Sequence, residues 1–450
     1  MKVKPVYKLI SHFFILTVLF IQCDKNVHEI VKDKEDLNFQ FNVELVNNQA
    51  HLSWKIKNTE QLMGFTIKRC YASKKVDFEC DTCVVFNEKE FVKNYNLHYE
   101  EMALMDNNFS YNNYQDSLFS YNRELFYKMT VSGSESLVES NYLKLKLPEL
   151  SVFDISPIKV ITDVESNTLY IIDISETVKL YSYSIPENNL VQIYDFGIES
   201  NFLPKPDMCI GVFNGVKKLV LPLLHEVHIF NLSNLALEQT FTFKDEYIGA
   251  VTSDLENNIY VTGDMGIISR IDYNKKSILK LNTMFYHSEI DLIFNKGFIY
   301  SLTLGTNVPT IAKYKIITGG DLIIESIKEL QTELIETYDF CTSKDLILLS
   351  NGLLFDKDLN LKKKLNVPPS TKIISFSEDG NSIWINKQST KQWYSLDIGT
   401  GQILKSKTLM SFPLFVLPVN GKSINIGNYK LSYDLYLNKI EKVSIEVFDN

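Results

Sequence analysis

Val160-Ile-Thr-Asp-Val-Glu-Ser-Asn-Thr-Leu-Tyr-Ile171 reads as an apolar strand, a polar turn and a second strand that carries an aromatic residue. The pattern returns as Val251-Thr-Ser-Asp-Leu-Glu-Asn-Asn-Ile-Tyr-Val261 and as Ser375-Phe-Ser-Glu-Asp-Gly-Asn-Ser-Ile-Trp-Ile385. Weaker copies are Phe213-Asn-Gly-Val-Lys-Lys-Leu-Val-Leu221, Phe294-Asn-Lys-Gly-Phe-Ile-Tyr300, Ser343-Lys-Asp-Leu-Ile-Leu348 and Val419-Asn-Gly-Lys-Ser-Ile-Asn-Ile426. With Tyr170, Val220, Tyr260, Tyr300, Ile347, Trp384 and Asn425 taken as equivalent, the mean spacing is about 42 residues.

That period suits a four-stranded propeller blade. Two copies continue with further strand-like runs. One has Val178–Tyr183 and Leu190–Tyr194; another has Trp393–Asp397, a Gly399-Thr-Gly401 turn and Gln402–Leu404. Seven copies fill residues 150–450, so the expectation is a seven-bladed β-propeller, with six or eight blades as the neighbouring counts. In a general way it resembles WD40-like and quinoprotein-like propellers. No copy carries a full WD signature, and the quinoprotein-like blade ending at residues 396–404 occurs once. Asn stands where tight turns usually use Gly, as at Asn188-Asn189 and Asn257-Asn258. Residues 321–340 place Ile323, Ile327, Leu330 and Leu334 at helical spacing, but the repeat demands strand, loop, strand there.

Outward from the repeat, residues 37–148 alternate with period two in several short runs: Leu37–Leu45, His51–Ile56, Leu125–Val131 and Asn141–Leu147. Trp54 shares a face with Leu52 and Ile56, and Asn47-Asn48 turns the chain. Leu52-Ser53-Trp54, Gly64-Phe65, Tyr114-Gln115-Asp116, Phe126-Tyr127-Lys128 and Ser140-Asn141 stand where a fibronectin type III domain has its strand landmarks, and the segment resembles that family. The resemblance implies a β-sandwich used as a spacer or recognition module. It departs from the family at Leu125, where the corner tyrosine belongs. The fold expected is therefore all-β: a fibronectin type III-like sandwich over 37–148, then a propeller over 150–450.

The N-terminus reads as an address. Lys2, Lys4 and Lys8 precede an apolar run, Leu9–Ile21, too short for a comfortable membrane span and suited to a secretory signal. The run stops at Cys23 and turns polar. It resembles a bacterial lipoprotein signal of the Bacteroidota kind, with Gln22 where a small residue is preferred. The resemblance implies a signal peptide over 1–22, lipidation at Cys23, a solvated tether over 23–36, and an outer-membrane location on the periplasmic face or the cell surface. Export permits a disulfide of Cys70 with Cys80 or Cys83; free thiols and metal or redox chemistry at the Cys80/Cys83 pair are the alternatives.

The chain of 450 residues is 45% hydrophobic and carries a net charge of −9, which rules out a mainly disordered protein. Three arginines (Arg69, Arg123, Arg270) and the acidic balance argue against nucleic-acid binding. Catalytic signatures are missing. His225-Glu226-Val227-His228 lacks the zincin spacing, and two strand positions three apart face opposite sides. The acidic pairs Asp254/Glu256 and Glu378/Asp379 read as solvated turns, and Trp384 and Trp393 as packing between blades. No catalytic, metal or cofactor residue is assigned, and no cofactor is expected. The function expected is a non-catalytic envelope lipoprotein whose propeller docks a protein partner. The alternatives are a glycan- or small-ligand-binding surface lipoprotein, and a propeller hydrolase or lyase.

Overall fold

The computed structural model describes residues 40–449, apart from 57–61, 75–94, 107–112, 117–123, 134–136, 141–142, 149, 200–205, 245, 264–265, 282–288, 305–308, 331–339, 344, 350, 367–370, 378, 388–389 and 429–442. The signal, Cys23, the tether, and Cys80 and Cys83 lie outside the described residues, as does the side chain of Cys70. Two compact units divide the chain, one built from residues up to Lys146 and one from Leu147 onward, with short exchanges at 47–49 and 117–122.

The first unit holds two antiparallel sheets. One orders Gln40–Val46, Gln49–Lys55 and Asn113–Asp116; the other orders Tyr95–Asp106, Leu62–Lys74, Glu124–Gly133 and Leu137–Glu139, with Leu143–Leu145 also on Glu124–Gly133. Period-two alternation works as expected: Ala50, Leu52 and Trp54 are buried, and Trp54 packs its ring 5.1 Å from Phe65. Leu125 is buried and brings no hydroxyl. Tyr127, two residues on, supplies one instead, donating to Asp116 Oδ2 at 2.7 Å. Arg69 Nη1 reaches the same carboxylate at 2.8 Å, so the buried charge is paired as burial requires.

The second unit is a succession of four-stranded antiparallel sheets, spanning 157–199, 209–242, 248–280, 289–329, 340–364, 371–408 and 412–449. We number them one to seven. The last takes its outer strand from the start of the unit: Val152 and Phe153 pair with Ser444 and Val443. Each sheet packs on the next. Tyr170 and Ile172 of sheet one meet Leu219 and Leu221 of sheet two, and Trp384 and Trp393 of sheet six meet Val416 and Phe448 of sheet seven. Sheet seven packs back on sheet one through Ile424, Ile426, Leu169 and Ile171.

Burial follows this stacking. Second strands lie between two neighbouring sheets, so Asn258–Gly263 is buried at every residue and its run Ile-Tyr-Val does not alternate. Fourth strands form the rim, and Ser277–Lys280 is exposed throughout. The seven residues taken as equivalent all fall on second strands. Two are out of register. Ile347 packs back on Tyr300 of sheet four while Leu348 faces sheet six, and Asn425 lies opposite to Ile424 and Ile426, which face sheet one. A slip of one residue flips the face. In the Leu- and Ile-rich stretch, Leu322–Glu329 is strand, as the repeat demanded over the helical spacing. Among the described residues, Asn holds seven of the twelve non-glycine positions with positive φ, including Asn47, Asn48, Asn188 and Asn257. Asn thus replaces Gly in the left-handed turns.

Candidate functional site: the central cavity and the ties between sheets

A cavity of about 350 Å³ is lined by first-strand residues of sheets one to four, among them Lys159, Thr162, Cys209, Thr252 and Asp291, with Asp207 from the linker into sheet two. Lys159 Nζ pairs with Asp207 Oδ1. Asp207 Oδ2 accepts the backbone N–H of Val251 at 3.0 Å, and Thr252 Oγ1 accepts that of Phe294 at 3.0 Å. These bonds tie sheets one to four together around the cavity. Burial, then the neighbouring Asp207, pushes the Cys209 thiol up to about 12, so it stays protonated and is a poor nucleophile. The lining offers hydrogen-bonding groups, the Lys159–Asp207 ion pair and the Asp291 carboxyl. Among the described residues no three His, Cys, Asp or Glu side chains converge at metal-ligand spacing.

A second cleft, of about 380 Å³, lies between sheet one and the turn of sheet two that contains Leu232 and Ser233. Ser166, Thr168, Ser182, Ser184 and Gln192 give it a hydroxyl- and amide-rich lining. Asp163 stands at its edge, ion-paired with Lys217 at 2.8 Å.

Polar side chains elsewhere tie one sheet to the next. Tyr170 donates to the Leu232 carbonyl at 2.9 Å, Tyr260 to the Gly320 carbonyl at 2.8 Å, and Tyr300 to the Lys357 carbonyl at 2.9 Å. Each tyrosine sits on a second strand, and each carbonyl lies in the turn before the fourth strand of the following sheet. Basic residues reinforce two of these turns: Arg270 pairs with Asp321, and Lys313 with Asp358.

The residues singled out in the sequence have structural surroundings. Asp254 is in a turn as read, but it is buried, not solvated. It accepts the N–H groups of Glu256 and Asn258 at 2.8 and 2.9 Å and the Asn258 amide at 2.7 Å. Asp379 caps Asn381 in the same manner at 3.0 Å, and Glu378 lies outside the described residues. His225 stacks on Tyr247 at 4.4 Å between ring centroids, whereas His228 is buried 5.3 Å from Phe196, and its pKa is lowered by that burial. Trp384 and Trp393 pack edge to face at 5.8 Å. The Lys159–Asp207 pair and the tyrosine ties escape sequence reading. A main-chain carbonyl has no residue type to recognise, and the ion pair joins positions 48 residues apart with no motif between them.

Among solved structures, the Pan2 WD40 domain of Neurospora crassa superposes with a TM-score of 0.50 at 15% identity, covering 66% of this chain and 90% of that one. The RRP9 WD40 repeats give 0.47 at 10% identity, covering 66% and 96%. The second unit has the fold of a WD40-like β-propeller. No family model and no curated protein sequence matches the chain.

Proposed function

We propose that this is a non-catalytic lipoprotein of the cell envelope whose propeller is a protein-docking scaffold. In this reading Cys23 carries the lipid at the outer membrane, residues 24–36 form the tether, and residues 37–148 form a fibronectin type III-like spacer. The two-sheet order of the first unit supports the spacer assignment. Seven consecutive four-stranded sheets, with the last packed on the first and completed by Val152–Phe153, support a closed seven-bladed ring.

One observation carries the docking role. Lys159, Asp207 and Thr252 at the cavity are spent on joining sheets, while the rim strands expose aliphatics: Val191, Ile193, Ile323, Leu361, Ile403 and Leu404 are each more than half exposed. Open sheet edges with exposed apolar side chains are pairing and docking surfaces. At the cavity, the buried carboxylate Asp207 is held by Lys159 and Val251, which favours a structural over a hydrolytic use.

The test is affinity capture of the tagged protein from its own membranes after brief cross-linking, beside a Cys23→Ser control. A stoichiometric partner held by the wild type supports the reading; a clean protein from both overturns it. The hydroxyl-lined cleft favours glycan binding as a second reading. Thermal stabilisation by one member of a polysaccharide panel, with no protein captured, would establish that one instead.

A further inference from the structure

We propose that the propeller associates head to tail with a second copy of this chain, the rim of sheet one against the rims of sheets five and six. The charge of the chain is not spread evenly. Residues 152–199, which hold the closing strand and sheet one, carry eight carboxylates and two lysines. Glu165, Glu176, Glu187, Asp195 and Glu199 are exposed there. The outer strand Asn189–Glu199 also presents Val191 and Ile193, 51% and 61% exposed.

The rims of sheets five and six are the opposite. Leu361–Lys364 and Ile403–Thr408 carry five lysines and no carboxylate, although the whole chain is at −9. Lys363 is engaged with the carbonyls of Ile398 and Gly399, and Lys407 lies 4.6 Å over the Phe448 ring. Lys362, Lys364 and Lys405 are exposed beside Leu361, Ile403 and Leu404, which are 53%, 59% and 56% exposed.

Lysines on an edge strand commonly serve to repel other strands. That protection works against a neutral or basic edge and becomes attraction towards an acidic one. The acidic edge required is on another sheet of the same chain. Sheet seven separates the two rims on one side and sheets two to four on the other, so they belong to different parts of the ring. Each copy keeps one rim of each sign, so the contact is heterologous and generates a ring or an open chain of copies.

The test uses the full chain with Cys23→Ser, so that no lipid mediates association, in sedimentation velocity at about 50 and about 500 mM NaCl. The wild type should self-associate at low salt and weaken by at least ~10-fold at high salt, where the Debye length falls to about 4–5 Å. E187K/E199K and K362E/K405E should each be monomeric and should melt like the parent. Mixed, they should associate again, because one intact rim of each sign remains. A wild type that stays monomeric at low salt overturns the proposal. So does a mixture that stays monomeric, or a monomeric wild type that binds anionic phosphatidylglycerol vesicles through Lys362 and Lys405, which would assign that rim to a lipid surface.

Discussion

The Tyr260 hydroxyl of sheet three donates to the backbone carbonyl of Gly320 in sheet four at 2.8 Å and lies 3.1 Å from Asp254 Oδ2 in its own sheet. Burial, then the Asp254 charge, pushes its pKa well above the usual phenol range, so the proton stays on the oxygen and the hydroxyl remains a donor. Tyr170 and Tyr300 repeat the tie to their following sheets. Apolar packing between sheets tolerates sliding; a directed hydrogen bond to one carbonyl fixes where each sheet stops against the next.

Tyr260→Phe removes that donor without changing the packed ring. It leaves the Gly320 carbonyl without its donor, while Asp254 Oδ2 keeps the Asn258 amide, and should cost about 1–3 kcal/mol. Tyr300→Phe, whose hydroxyl donates to the Lys357 carbonyl at 2.9 Å, should cost less. Urea unfolding of both variants measures this. Equal losses, or none at Tyr260, would remove the special place given to its tie.

Gly320→Ala should be worse than Tyr260→Phe. Gly320 has φ of +85°, and a Cβ there would stand 2.8 Å from Asn258 Nδ2 and 2.9 Å from Arg270 Cδ. The backbone conformation and the close approach oppose any side chain, so the turn must move and the tie opens with it. A Tm drop of several degrees is expected; a variant that melts with the parent would show that the turn is free to shift.

Much of this architecture was legible because repetition survives at the level of strand and turn. The second strands sit where Tyr170, Tyr260, Tyr300 and Trp384 placed them. Register was harder. Ile347 and Asn425 were each one residue out; at Ile347 the strand Leu346–Leu349 is apolar at every position and offers no alternation to fix the face. Burial of Asp254 was hidden too, although Glu256 and Asp379 are exposed as read. Asp254 looks solvated in a polar run, yet it is buried among the Glu256 and Asn258 amides and the Tyr260 hydroxyl. The cavity pair, Lys159 with Asp207, needs the ring to bring a first strand and a linker together, and no local pattern records that.

Cys209 offers a chemical check on the cavity. Its thiol, raised to about 12 by burial, should resist iodoacetamide near pH 8, where an ordinary cysteine reacts. Peptide mapping after labelling should show Cys209 unmodified in the folded protein and modified in about 6 M guanidinium. Rapid labelling of the folded protein would mean that the cavity opens to reagent and polarises the thiol.

Glu446 supplies a pH signature. It is buried on the third strand of sheet seven, accepts the Met410 N–H at 2.8 Å, and has its pKa raised by burial against the opposing pull of that bond, of Lys407, of Asn425 and of Lys391. A carboxyl whose folded pKa lies above its unfolded value favours folding while protonated. Its contribution is complete below the unfolded value and is lost as pH rises through the folded one. Glu446→Gln keeps an acceptor for Met410 and carries no charge at any pH. The variant should therefore gain stability over the parent at about pH 7.5 and show little gain at about pH 4. Thermal melts of both proteins at the two pH values decide it. A variant less stable than the parent at the higher pH would mean that the carboxylate is held there by its lysines, and that burial is the smaller effect.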